Sequence, residues 1–133
     1  MVMKNTCPVT IAIVDDHELV RQAFNLRLTL LGYKVVMEAE NGKAFLEKLV
    51  ESTPPDICLL DINMPVMDGF ETAKHLKRIW PNIKILFFSI HNEPAYISKA
   101  NLIGGYGLLA KDASSAEIMK VLYEIANKAA TAS

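Results

Sequence analysis

The chain has almost no cysteine: Cys7 stands near its start and Cys58 inside an apolar run. Two such residues make no disulfide framework, and neither has the nearby Cys or His of a zinc site. Cys58 reads as a small buried hydrophobe. No apolar run approaches the roughly 20 residues of a membrane span, so no contact with a membrane is expected. The opening "MVMKNTCPVT" lacks the apolar stretch of a secretory signal, which points to a cytoplasmic protein. An excess of charge is lacking too: 14 Lys and Arg face 15 Asp and Glu, for a formal net charge of −1. General affinity for nucleic acid is therefore not expected. Repeats, linkers and low-complexity stretches are absent, apart from an "AATAS" tail. At 133 residues the chain reads as one domain, 1–133, long enough for a real core.

What is present is an alternation. Five short apolar runs bounded by turn residues read as strands: 9–14, 33–38, 56–61, 83–89 and 106–111. Helical spacing fills the gaps at 19–31, 42–50, 68–80, 93–103 and 114–128. Pro81 stops the third helix, and Ser114 with Glu117 reads as a capping box for the fifth. Continuously apolar strands imply a parallel sheet buried on both faces. Right-handed crossovers then give an α/β fold with an open, doubly wound sheet. Sites in such sheets form beyond the carboxyl ends of the strands.

Those ends carry Asp15 and Asp16 after strand 1, Asp61 at strand 3, Ser89 at strand 4 and Lys111 at strand 5. Glu38, at the end of strand 2, offers no evident role. Taken singly, each has a structural explanation. Asp16 and Asp68 are candidate helix caps, and a lone Ser or Lys is usually solvated. Taken together at one edge, three carboxylates repel and need a countercharge. A hard divalent cation, Mg²⁺ or Mn²⁺, and Lys111 would supply it. A carboxylate beside a cation, a lysine and a hydroxyl is an arrangement for phosphoryl transfer.

The segments "IVDDHELVRQ", "LLDINMPVMDG", "FFS" and "GGYGLLAKDAS" resemble the receiver domain of two-component response regulators, the CheY-like family. The resemblance covers about residues 9–128. It implies a flavodoxin-like sheet of order 2-1-3-4-5. It also implies Asp61 as phospho-acceptor from a histidine kinase or phosphotransfer protein, in a signalling domain rather than an enzyme. By the same resemblance Asp16 ligates the metal directly, Asp15 through water, and Asn63 through its backbone carbonyl. Ser89 and Lys111 would contact phosphoryl oxygens. The helix 4, strand 5 and helix 5 surface would carry the signal, with a homodimer as one outcome of phosphorylation. "DDH" and "DINMPVMDG" look most like receivers of NarL-type regulators. The sequence stops after the fifth helix, so it reads as a stand-alone receiver or one domain of a longer chain.

Three positions depart from the family pattern. Leu108 stands where strand 5 usually carries an aromatic residue, Ile90 replaces a small residue after Ser89, and Gly104-Gly105 replaces a Gly-Ala pair. The aromatic read-out is then expected to be weakened, with movement carried by the loop around 91–96. Other classes fit less well. A haloacid-dehalogenase-type hydrolase needs D-x-D at strand 1, where this chain has D-D. A flavodoxin-like cofactor binder needs a Gly- or hydroxyl-rich loop there, and "DDHELV" would repel phosphate. A degenerate, merely binding receiver would lack an acidic position, and none is missing. His17 reads as an exposed first-turn residue close to the site, His91 as a side chain overhanging Asp61, and His75 as surface. Trp80 reads as packing at the end of helix 3, and Met64 and Met67 as loop packing.

Overall fold

The computed structural model describes residues 8–90 and 94–131, with side chains described up to residue 127. The elements run β1 (Thr10–Val14), α1 (Glu18–Leu30), β2 (Lys34–Ala39), α2 (Gly42–Val50) and β3 (Ile57–Asp61). They continue α3 (Gly69–Ile79), β4 (Lys84–Ser89), α4 (Pro94–Ile103), β5 (Leu108–Ala110) and α5 (Ser115–Thr131). Local chemistry sets the boundaries. The Asn41 side chain accepts the Ala44 N–H at 2.8 Å and caps α2, and Asp68 accepts the Glu71 N–H at 2.8 Å and caps α3. Both bonds of the Ser114/Glu117 capping box form, at 3.1 and 3.2 Å. Gly32, at φ +96°, turns the chain out of α1 in a conformation that costs glycine little.

The strands pair in parallel in the order β2-β1-β3-β4-β5, as the resemblance implies. Their alternation sorts the core into two layers. Ile11 and Ile13, Ile57 and Leu59, Leu86 and Phe88, and Leu109 join Phe24 and Leu28 of α1 and Ile118, Leu122 and Ile125 of α5. Ala12 and Val14, Cys58 and Leu60, and Ile85 and Phe87 face α2, α3 and α4. Continuing the first parity past the strand ends puts Asp15, Asp61 and Lys111 on the α1/α5 side of the sheet.

Burial on both faces holds for β1, β3 and β4 but not for the edges. β2 has only exposed and half-buried residues before Ala39, and β5 buries only Leu109. Val36 is an extra residue in β2, since Ile11 pairs with Val35 and Ala12 with Met37; the bulge leaves Val36 exposed. The helices also bury less than their apolar spacing suggests. Leu19, Leu26, Leu30, Val50, Ile79 and Met119 are exposed, because each helix meets the sheet along one stripe. β5 is shorter than the 106–111 run, and Lys111 lies in the following turn. Trp80 packs on the core as expected, and Met64, read as loop packing, is itself buried in that core layer. His75 is half-buried, with its Nδ1 3.1 Å from Arg78 Nη2.

Candidate functional site

β1 and β3 are adjacent, so their ends bring Asp15, Asp16 and Asp61 to one place. Asp15 and Asp61 are buried, which is unusual for carboxylates without a full set of partners. Lys111 bridges the two. Its Nζ lies 2.7 Å from Asp15 Oδ2 and 3.3 Å from Asp61 Oδ1, and it rests over the Phe88 ring at 5.1 Å. Asp15 is further held by the His17 N–H, which donates to Oδ1 at 2.8 Å. Both Asp15 oxygens are thus engaged by the protein.

The other two carboxylates are not so satisfied. Asp61 Oδ2 is buried with no hydrogen-bond partner among the described residues. Asp16 Oδ1 is also shielded from solvent and, among the described residues, meets the His17 ring, whose Nδ1 is 3.1 Å away. Asp16 does not cap α1: the cap residue is His17, and it makes no side-chain capping bond. The structural explanation for Asp16 therefore fails, whereas the one for Asp68 holds. Burial pushes the Asp61 carboxyl up to about 6; Asp15 adds repulsion, and Lys111 opposes it. One ligand atom from each of Asp15, Asp16, His17 and Asp61 falls within a 4.8 Å span. Such a donor set, acidic and with Asp61 Oδ2 buried and unpaired, fits a divalent cation.

The loop after Asp61 is held close to it. Gly69 N–H donates to the Ile62 carbonyl at 2.8 Å, and a Cβ on Gly69 would lie 2.2 Å from the Asp61 carbonyl oxygen. Only glycine lets α3 start there. Between them Val66 adopts φ 73°, and Met67 N–H donates to the Pro65 carbonyl at 2.7 Å, closing a tight γ-turn. Asn63 is exposed in this loop.

Ser89 is buried at the end of β4, one residue past the pair Asp61↔Phe88. By strand alternation it belongs to the opposite side of the sheet from Asp61, the side of Leu108 and Phe87. Its carbonyl accepts the Lys111 N–H at 3.1 Å, which ties the serine to the lysine turn. Leu108 is half-buried against the α2/α3/α4 core layer, Ile90 is exposed, and Tyr106 lies outside β5. Cys7 and His91 lie outside the described residues. Glu38 has a role that the sequence did not suggest. It pairs with Arg21 Nε at 3.4 Å and accepts from Asn25 at 2.7 Å, while Arg21 donates to the Asp15 carbonyl. The available signal was Arg21 at one helical turn from His17, whose carbonyl accepts the Arg21 N–H.

This geometry has known counterparts. A family model described as the response regulator receiver domain matches residues 11–123. The nitrate/nitrite response regulator protein NarL of Escherichia coli is 36% identical over 125 residues, which cover 93% of this chain and 57% of that protein. The chemotaxis protein CheY of Thermotoga maritima is 32% identical over 115 residues, 86% of this chain and 95% of CheY. The solved signal receiver domain of NarL from Mycobacterium tuberculosis superposes with a TM-score of 0.82 at 36% identity, covering 90% of this chain and 97% of that one. The chain spans about half the length of the NarL protein it matches. Matched over most of its length by the family model and by a whole CheY, and carrying buried Asp61 at the end of β3, the chain belongs to the response regulator receiver domains of two-component systems.

Proposed function

We propose that this receiver is a phosphorylation-controlled switch and that Asp61 is its phospho-acceptor. The observation that carries this reading is the buried, unpaired Oδ2 of Asp61 beside two further carboxylates and one lysine. An Asp61 oxygen forms a bond to phosphorus as the P–N bond of a donor phosphohistidine breaks. The electron pair returns to the donor imidazole, which then takes up a proton. Asp61, held near 6 by burial, is ionised at neutral pH and more basic than an ordinary aspartate, which favours attack. Lys111, already at Asp61, pairs with one phosphoryl oxygen, and Ser89 hydrogen-bonds another.

A bound Mg²⁺, or Mn²⁺, would neutralise charge on the transferring oxygens. Asp16 and Asp61 would hold it directly, with the Asn63 carbonyl. Asp15, with both oxygens engaged, would act through water. The donor is a sensor histidine kinase or phosphotransfer protein in the cytoplasm. Beyond forming and slowly losing its own acyl phosphate, the domain turns over no substrate, and it binds no nucleic acid itself. Its output surface is the face of α4, β5 and α5, where a groove of about 400 Å³ runs past Ile97, Leu108, Lys120 and Val121. Phosphorylation would change this face, for a partner or for a second copy of the chain. With Leu108 in place of a ring the movement of β5 is small, and more of it falls to the start of α4.

Incubation with phosphoramidate and Mg²⁺ should add one phosphoryl group by intact mass, labile in base. Asp61→Asn should abolish it. A modification that survives that substitution would remove Asp61 from this role.

A further inference from the structure

We infer that Arg27 is a positioning residue for Lys111: from α1 it fixes both the turn that carries the lysine and the ring beneath it. The inference rests on the reading that Lys111 pairs with a phosphoryl oxygen on Asp61. β5 gives that lysine little support. The strand has three residues, lies at the sheet edge and pairs with β4 alone. Lys111 follows it in a turn closed by the Ala113 N–H, which donates to the Ala110 carbonyl at 3.0 Å. On one side the turn is tied to β4, where the Lys111 N–H donates to the Ser89 carbonyl at 3.1 Å. On the other side Arg27 Nη2 donates to the Ala113 carbonyl at 2.6 Å, a link between residues 86 apart in the chain. That bond is short and charge-assisted, the stronger class. Ala113 is buried, so water replaces a lost donor there only at a cost.

The same guanidinium reaches the ring under the lysine. Arg27 Cζ lies 5.4 Å over Phe24, and Phe24 meets Phe88 edge-on, with centroids 5.2 Å apart and planes at 69°. Lys111 Nζ lies 5.1 Å over Phe88. Arg27 is therefore joined to Lys111 twice, once through the peptide of the turn and once through two rings. Arg27 stands in the last turn of α1, where a cation commonly answers the helix dipole. That role needs no contact with another element, yet the guanidinium meets the Ala113 carbonyl and Ser115 Oγ, at 2.6 and 3.5 Å, both beyond β5. Lys111 needs such placement. Its Nζ is 2.7 Å from Asp15 but 3.3 Å from Asp61, so a small shift of the turn opens the Asp61 contact first.

The test follows phosphorylation of the whole chain by phosphoramidate and Mg²⁺, by intact mass, with Arg27 and Lys111 changed singly and together. Arg27→Met keeps the length of the side chain and removes its donors, and should slow phosphorylation by about tenfold. Arg27→Lys returns the cation and a donor without the planar fork, and should recover part of the rate. Leu26→Ala, on an exposed position of the same helix, should leave the rate unchanged. Once Lys111→Ala is in place, Arg27→Met should cost nothing further, because Arg27 acts through the lysine. NMR supplies a reading without any phosphoryl donor: the Lys111 Hε resonances, moved upfield by the Phe88 ring, should return downfield in Arg27→Met. An additive loss in the double variant, or Lys111 resonances that do not move, would overturn the proposal. If Arg27→Met does not fold, the same readings apply to Arg27→Lys, with smaller losses. A wild type that gains no phosphoryl group at Asp61 overturns the underlying reading and this one with it. A phosphorylated wild type with an undiminished rate in Arg27→Met overturns this one alone.

Discussion

β3 and β5 belong to one sheet and are held very differently. All five residues of β3 are buried, and it has a strand on each side. β5 has three residues, buries one of them and lies at the edge. α3, after β3, and α4, before β5, show the same contrast. α3 buries Gly69, Phe70, Thr72, Ala73 and Leu76, whereas α4 buries only Ala100. Tyr96 of α4 is half-buried and reaches the core by stacking on Phe70, ring centroids 6.3 Å apart, and Lys99 lies 4.6 Å over the same ring. The proposed phospho-acceptor thus stands on the most constrained element, while two of the three elements of the proposed output face, α4 and β5, are lightly packed; α5 is not, since it buries Ile118, Leu122 and Ile125. Precise chemistry needs the first, and a surface that changes at low cost needs the second.

The largest expected effect tests the constrained half. Gly69→Ala forces a Cβ to 2.2 Å from the Asp61 carbonyl oxygen, with backbone that cannot yield cheaply. A loss on the order of 3 kcal/mol is expected in urea unfolding. Leu102→Ala on α4, where the side chain is 87% exposed, should stay within about 0.5 kcal/mol. Equal losses in the two variants would erase the contrast.

A smaller effect concerns charge. An acid whose folded pKa is raised favours the fold while protonated. Asp61 moves from an ordinary 3.8 to about 6, so this contribution is complete below about pH 4 and is lost as pH rises through 6. In the metal-free protein Asp61→Asn should therefore stabilise by on the order of 2 kcal/mol at pH 7.5. The gain should shrink toward pH 4. Thermal unfolding across that range decides it, and a gain independent of pH would point to packing instead of charge.

The smallest lies in the loop between β3 and α3. Val66 is β-branched, exposed and at φ 73°, a region that costs such residues roughly 1–2 kcal/mol. Val66→Asn keeps the turn and relieves the strain, so a gain of about 1 kcal/mol is expected in urea unfolding. If the variant is no more stable, the γ-turn stores no strain beside Asp61.

The sequence by itself determined the ten elements to within about three residues, because short apolar runs, helical spacing and turn chemistry are local properties. It also marked Asp15, Asp16, Asp61, Ser89 and Lys111, since strand ends in such a sheet can be found without coordinates. Tertiary structure decided what these groups do to one another. Lys111 reaches both Asp15 and Asp61, and Asp61 is raised by burial. Arg21 and Glu38 brace β1 from α1 and β2; helical spacing put Arg21 one turn from His17, but its pairing with Glu38 joins segments 17 residues apart. Apolar spacing in α1 could not separate Phe24 and Leu28, which are buried, from Leu19, Leu26 and Leu30, which are exposed. Only the docking of that helix on the sheet chooses which stripe faces inward. Distance, desolvation and choice of face arise from contacts between segments far apart in the chain, and no local rule contains them.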